Sequence, residues 1–231
     1  MHEDESFLQL FTAAFQDLLA ESVTRNASFI PVGANLPITS PVAADIREHA
    51  THTIGVFNIT GGQPGASETE VILAAVRHAS QTFGRLHLSV IGRCAELREV
   101  ELKSGLKDLP VELSVEGVVE PEGVVQRLSA CDVLLFVRGA ISSRRGSAIA
   151  GIACGLPVIA YSGTETAPPI TDAGVVLVPV DEPRQLHASL VRVLSDADYR
   201  NDLATRSRAT FEAHFAWHSI AARFASLLSL K

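Results

Sequence analysis

Residues 132–163 read DVLLFVRGAISSRRGSAIAGIACGLPVIAYSG. An apolar run of strand length leads into a loop that holds Arg138, Arg144 and Arg145 among Ser and Gly. A stretch of small residues follows, and Gly155, Leu156 and Pro157 hand the chain to a second apolar run. The small residues Ala148, Ala150, Gly151 and Ala153 suit a helix packed closely on a sheet. Gly155 supplies its stop, and Pro157 keeps it from continuing into the next strand. Ser142, Ser143 and Ser147 are placed to cap and open that helix. Strand, loop, helix and strand in this order predict one parallel step of an α/β sheet.

The same step recurs outward in both directions. TIGVFNIT (53–60), LHLSVIG (86–92) and VELSVEG (111–117) precede it, and GVVLVPV (174–180) follows. Helical stretches are predicted over 68–83, 95–104, 121–130, 183–194 and 198–215. Strands that are apolar throughout, separated by helices, are what a parallel sheet covered on both faces requires. The fold class expected is therefore α/β, a doubly wound parallel sheet of about six strands with flanking N- and C-terminal helices. Upstream, residues 6–24 carry Phe7, Leu8, Phe11, Phe15, Leu18 and Leu19 at the spacing of an amphipathic helix. FIPVGANLPITSP (29–41), with its Pro residues, reads as a linker or an edge segment. Residues 1–52 are expected to be an N-terminal helix and linker, and 53–231 the sheet domain.

Composition narrows the partners. The formal net charge of −7 argues against a nucleic-acid surface, so any anion site must be local. The positive charge is mostly Arg, whose planar fork suits phosphate or carboxylate. No stretch approaches the ~18–20 apolar residues of a membrane span, and MHEDE is not the basic start of a leader, so a cytoplasmic chain is the expectation. Cys94, Cys131 and Cys154 sit in apolar contexts and read as reduced, buried thiols. His214 and His218 are four apart without a third ligand, so no metal site is expected. There is no G-x-S-x-G and no paired-carboxylate constellation.

In a doubly wound sheet the ligand sits beyond the carboxyl ends of the strands. Two loops there merit most weight. GGQPG (61–65) matches neither the dinucleotide fingerprint nor the P-loop, and both a tight turn and a phosphate-approaching loop fit it. RGAISSRRGS (138–147) is either a diphosphate site, with three guanidinium groups at a helix N-terminus, or a solvated loop paired to surface carboxylates.

The segments LSACDVLLFVRG, GSAIAGIACGLPVIAYSG and the run from ITDAGVVLVPVDEP to the closing F-x-W helix resemble the carboxyl-terminal half of GT-B glycosyltransferases. These are the large retaining group, group 1 or family 4-like, that uses nucleotide-sugar donors. The resemblance covers about residues 29–231, with FIPVGANLP similar to the crossing between the two domains. It implies a donor-side domain for a nucleoside-diphosphate sugar as substrate, with no separate cofactor, transferring to a glycan, lipid or small-molecule acceptor. It also implies an acceptor-side domain or partner chain across a cleft. The donor base and ribose would lie near Gly92, Arg93 and Glu116. The diphosphate would lie near Gly61, Gly62, Arg138, Ser142, Ser143, Arg144, Arg145, Gly146 and Ser147, and the sugar near Glu165. Two departures stand out. The Glu-x7-Glu carboxylates of such proteins fall on Ser142 and Ala150, and the basic residues expected near the first strand are missing from NITGGQPG. A noncatalytic nucleotide-sugar-binding or interaction module is the competing reading. A nicotinamide enzyme is disfavoured by the missing G-x-G-x-x-G.

Overall fold

A computed structural model of the chain describes residues 29–38 and 51–229. The amphipathic stretch 6–24 lies outside the described residues. Six strands form one sheet: β1 (His52–Phe57), β2 (Leu86–Ile91), β3 (Val111–Glu116), β4 (Val133–Ala140), β5 (Val158–Tyr161) and β6 (Val175–Val178). Every adjacent pair is parallel, and the order is β3-β2-β1-β4-β5-β6. The chain winds one way from β1 to β3, returns to the centre at β4, and winds the other way. The doubly wound α/β fold expected from the sequence is therefore the fold observed.

Two apolar cores follow from two covered faces. On one, α1 (Gly62–Ser80), α2 (Glu99–Leu106) and α5 (Pro183–Ser195) bury Ile72, Val76, Leu102, Leu186 and Leu190 against the sheet. On the other, α3 (Pro121–Ser129) and α4 (Gly146–Ala153) enclose Leu128, Leu134, Ile149 and Ile152. The small residues of α4 are there for closeness: a Cβ on Gly151 would sit 2.4 Å from Leu134. Gly155 takes φ +72 just past the helix, the left-handed stop its sequence position predicts. The helix α6 (Ala197–Thr210) ends in a π turn, Phe211–Phe215, before α7 (Trp217–Ser229). The single helix expected over 198–215 is thus interrupted, because Phe211 and Phe215 both turn into the second core. No helix among the described residues is long and apolar enough to cross a membrane.

Other boundaries also differ from the sequence reading. The helix expected from residue 68 begins at Gly62, so most of GGQPG is its first turn. The buried Glu68 carboxylate turns back to accept the Thr60 N–H at 2.8 Å, which fixes the turn from inside. The helix α4 begins at Gly146 with Arg145 at its N-cap and no side-chain cap bond, so Ser142 and Ser143 do not cap it. Ser142 is buried instead, and its carbonyl accepts the Arg145 N–H. Of the thiols, Cys131 and Cys154 are buried, but Cys94 is partly exposed in the loop after β2.

The helices α1 and α5 meet at His78 and His187, whose rings stack with centroids 5.3 Å apart. Burial, and then the neighbouring His78, hold the His187 imidazole below its ordinary value of 6.5. The folded chain therefore binds less proton there than the unfolded chain, and stability is lost as pH falls from 6.5 through the folded value. The expected result is a melting temperature that falls on acidification below pH 6.5, with a shallower slope in His187→Gln. An unchanged slope would remove the pair from the acid response.

Candidate nucleotide site

The site is built where the two winding directions part. The strands β1 and β4 are paired only at Ile54↔Val133 and Gly55↔Leu134. Beyond that they splay, and a cleft opens between their carboxyl ends, the topological switch point at which such sheets bind ligands. Phe57 and Phe136 line its floor, and the 29–38 segment contributes Val32 through Leu36 as one wall. The cleft holds about 400 Å3, within the usual range for a small-molecule site.

Arg138 enters this cleft through a defect in the sheet. The ladder between β4 and β5 runs to Phe136↔Ala160 and resumes at Ala140↔Tyr161, so the residues between bulge outward. Gly139, at φ +75, supplies the left-handed residue that the bulge needs. Arg138 then reaches both sides of the switch point. Its Nε donates to Thr60 Oγ1 at 3.3 Å and its Nη1 to Ser147 Oγ at 3.1 Å. Both acceptors are neutral oxygens. Among the described residues no carboxylate pairs with Arg138, Arg145 or Arg93.

The double Arg lies on the opposite rim. Arg145 Nε donates to the Ala140 carbonyl at 3.2 Å, while Arg144 pairs with Glu165 in the loop after β5. That loop is itself tied to the Arg loop, since Thr166 Oγ1 donates to the Ile141 carbonyl at 2.7 Å. The first turn of α4 completes the rim with Gly146 and Ser147. In a chain of net charge −7, four guanidinium groups line one cleft and make a local concentration of positive charge.

Of the residues singled out in the sequence, the cleft is lined by Arg93, Arg138, Arg144, Arg145, Gly146 and Ser147. Glu165 approaches it only through Arg144. Gly61 and Gly62 stand exposed at the start of α1, outside the lining, and Gly62 has its carbonyl bonded by Arg98. Gly92, at φ +96, donates to the Glu116 and Gly117 carbonyls at 3.0 Å, so it joins β2 to β3 behind Arg93. Glu116 accepts both Nε and Nη2 of Arg127 at 2.5 Å, and that bidentate bond holds its carboxyl below the ordinary carboxylate range. Within the Arg loop Ser142 is buried and Ser143 half-buried, and neither lines the cleft. Ala150, the other position matched to the family's carboxylates, does line the cleft.

Asn58 is a site residue the sequence reading overlooked. It follows β1 at φ 63, and its Oδ1 accepts the Arg93 N–H at 2.8 Å, fastening the loops after β1 and β2 together. A Cβ at Gly92 would lie 2.4 Å from that oxygen, which explains the glycine. Asn after an apolar strand is a known left-handed signal, but only the fold shows what it holds. Burial pushes the Cys154 thiol, just past α4, up to about 11.

No protein-family model matches the chain, and no curated protein matches it significantly. Solved structures do. WaaG, a glycosyltransferase involved in lipopolysaccharide biosynthesis, superposes with TM-score 0.62 at 18% identity over 85% of this chain and 55% of its own. Sucrose-phosphate synthase from Thermosynechococcus elongatus gives 0.62 at 26% identity over 88% of this chain and 52% of its own. HepE of Anabaena, solved in complex with UDP and glucose, gives 0.57 at 17% identity over 79% and 49%. The chain thus spans about half the length of these proteins. It has a GT-B-like fold, that of the Rossmann-like carboxyl-terminal domain.

Proposed function

We infer that the chain is the donor-side domain of a glycosyltransferase and binds a nucleoside-diphosphate sugar in the switch-point cleft. The observation that carries this reading is the set of guanidinium groups on the cleft, with Arg138 bulged from β4 between Thr60 and Ser147. The diphosphate lies between Arg138 and the Arg144–Arg145 rim, over the first turn of α4. Base and ribose extend toward Arg93 and the β2–β3 side, and the sugar toward Glu165. The likeness to HepE, whose structure holds UDP and glucose, supports a uridine nucleotide as the first probe. Transfer needs an acceptor held opposite the donor, and we assign that part to a second domain or chain.

A competing reading, nucleotide-sugar binding without transfer, is favoured by one specific observation. The positions matched to the Glu-x7-Glu carboxylates are the buried Ser142 and the cleft-lining Ala150, neither of which can act as an acid. Both readings require binding, so calorimetry with UDP-glucose, UDP and uridine comes first. UDP-glucose and UDP are expected to bind at least tenfold more tightly than uridine, because a hydrogen bond to a charged group contributes about 1.5–3 kcal/mol. Equal affinities for the three, or no binding by folded protein, would remove the site.

A further inference from the structure

Of the four guanidinium groups that line the cleft, one already holds an anion. Among the described residues Arg93, Arg138 and Arg145 meet no carboxylate, whereas Arg144 is paired with Glu165 from the loop after β5. That loop is built to hold the carboxylate in place. It turns over residues 163–166, where the Thr166 N–H donates to the Gly163 carbonyl at 3.0 Å and the Gly163 N–H donates back to Thr166 Oγ1 at 2.9 Å. Two further bonds lay the turn on the Arg loop. Thr166 Oγ1 donates to the Ile141 carbonyl at 2.7 Å, and the Ile141 N–H donates to the Tyr161 carbonyl at 2.8 Å. A Cβ on Gly163 would stand 2.5 Å from the Ala140 Cβ, so only glycine lets the two loops lie this close. None of these contacts uses the Glu165 side chain, which is 39% exposed and meets a guanidinium that is 68% exposed.

We propose that Glu165 is a resident counter-charge of the cleft: its carboxylate holds Arg144 until the phosphate oxygens of a ligand take its place, and it thereby sets how much charge a ligand must bring. The proposal rests on the diphosphate reading given above and names a specificity-determining residue for that site. An exposed ion pair contributes little to a fold, and the turn that presents Glu165 is closed without its side chain. What the pair does control is the field at the rim. Glu165 offsets one of the four positive charges on the cleft and stands beside the place where a second anion must come. A monoanion brings no more charge to Arg144 than the carboxylate it would displace, whereas a diphosphate brings more. Removing the carboxylate should therefore tighten anion binding, the opposite of what is expected from removing a residue that contacts the ligand.

Calorimetry with UDP, inorganic pyrophosphate and uridine tests this on the full chain. Glu165→Gln should bind UDP and pyrophosphate about two- to fivefold more tightly than the parent, the equilibrium factor of one exposed ion pair, with uridine unchanged. Glu165→Ala should do the same, and both variants should melt close to the parent because the turn keeps its bonds. The gain should vanish in the Arg144→Ala background, which separates a displaced partner from general charge repulsion. Equal or weaker binding of the two anions by both variants would overturn the proposal, while the parent's own preference for UDP over uridine would leave the donor-site reading standing. A gain that persists in full without Arg144 would overturn it as well. If neither the parent nor the variants bind UDP or pyrophosphate, the diphosphate reading fails first and the counter-charge falls with it.

Discussion

Arg138→Ala is expected to weaken UDP binding by about 100-fold, while leaving the affinity for uridine unchanged. The factor corresponds to about 3 kcal/mol, the upper end for a hydrogen bond to a charged group. Arg138 merits that upper end because it is half-buried, enters on a bulge, and is held by Thr60 and Ser147, so little ordering remains to be done when a diphosphate arrives. Arg144 differs on both counts. Its side chain is 68% exposed and already paired with Glu165, and Arg144→Ala should cost about tenfold or less. Arg145, exposed and bonded to the Ala140 carbonyl, should fall between them. Lys at 138 should recover only part of the loss, because it keeps the charge but not the fork that spans two loops. The substitution also removes two neutral hydrogen bonds, each contributing about 0.5–1.5 kcal/mol, which the fold should survive. Calorimetry of UDP and uridine against the three Ala variants, beside thermal melts, decides it. A ranking with Arg138 last, or equal losses for UDP and uridine, would move the diphosphate out of the bulge.

The sheet was legible because its evidence is local. Each strand is a short apolar run that ends in Gly or a polar turn, and six of them separated by helical stretches leave few arrangements. The 138–147 loop was legible as a candidate for the same reason, since strand order alone sends ligands to the carboxyl edge. What the sequence could not show are pairings between distant residues. Glu116 could be placed beside Gly92, but its commitment to Arg127 is a tertiary contact. The seryl-rich loop suggested caps, yet Ser142 faces the core and the backbone of Arg145 opens α4. The bulge that aims Arg138 has only the dipeptide Arg138-Gly139 as its sign. That sign is equally the end of a strand. The carboxylates missing at 142 and 150 are a sequence fact that the structure sharpens. Ser142 and Ala150 are both buried, and of the two only Ala150 lines the cleft.

Gly65→Ala is expected to cost about 3 kcal/mol or more, the severe end of overpacking and a large share of a typical domain's stability. A Cβ at Gly65 would fall 1.8 Å from the Thr60 carbonyl oxygen and 3.2 Å from the Ile59 side chain. The obstacle is backbone, and it cannot retreat easily. The Thr60 N–H is gripped by the buried Glu68 carboxylate, and its hydroxyl accepts from Arg138. Relief would therefore displace the loop after β1 and, with it, one of the two anchors of Arg138, so residual folded protein should also bind UDP more weakly. Two neighbouring glycines give the comparison. Gly62 has φ +67 and open space around it, so Gly62→Ala pays only for the left-handed backbone, about 1–2 kcal/mol. Gly146 has neither a positive φ nor a neighbour, and Gly146→Ala should be neutral or stabilising by about 0.4–1 kcal/mol. Urea denaturation of the three variants reads the order Gly146, Gly62, Gly65 as rising cost. A Gly65→Ala protein as stable as the parent would mean that α1 does not begin against Thr60, and the anchoring of Arg138 would have to be sought on α4 alone.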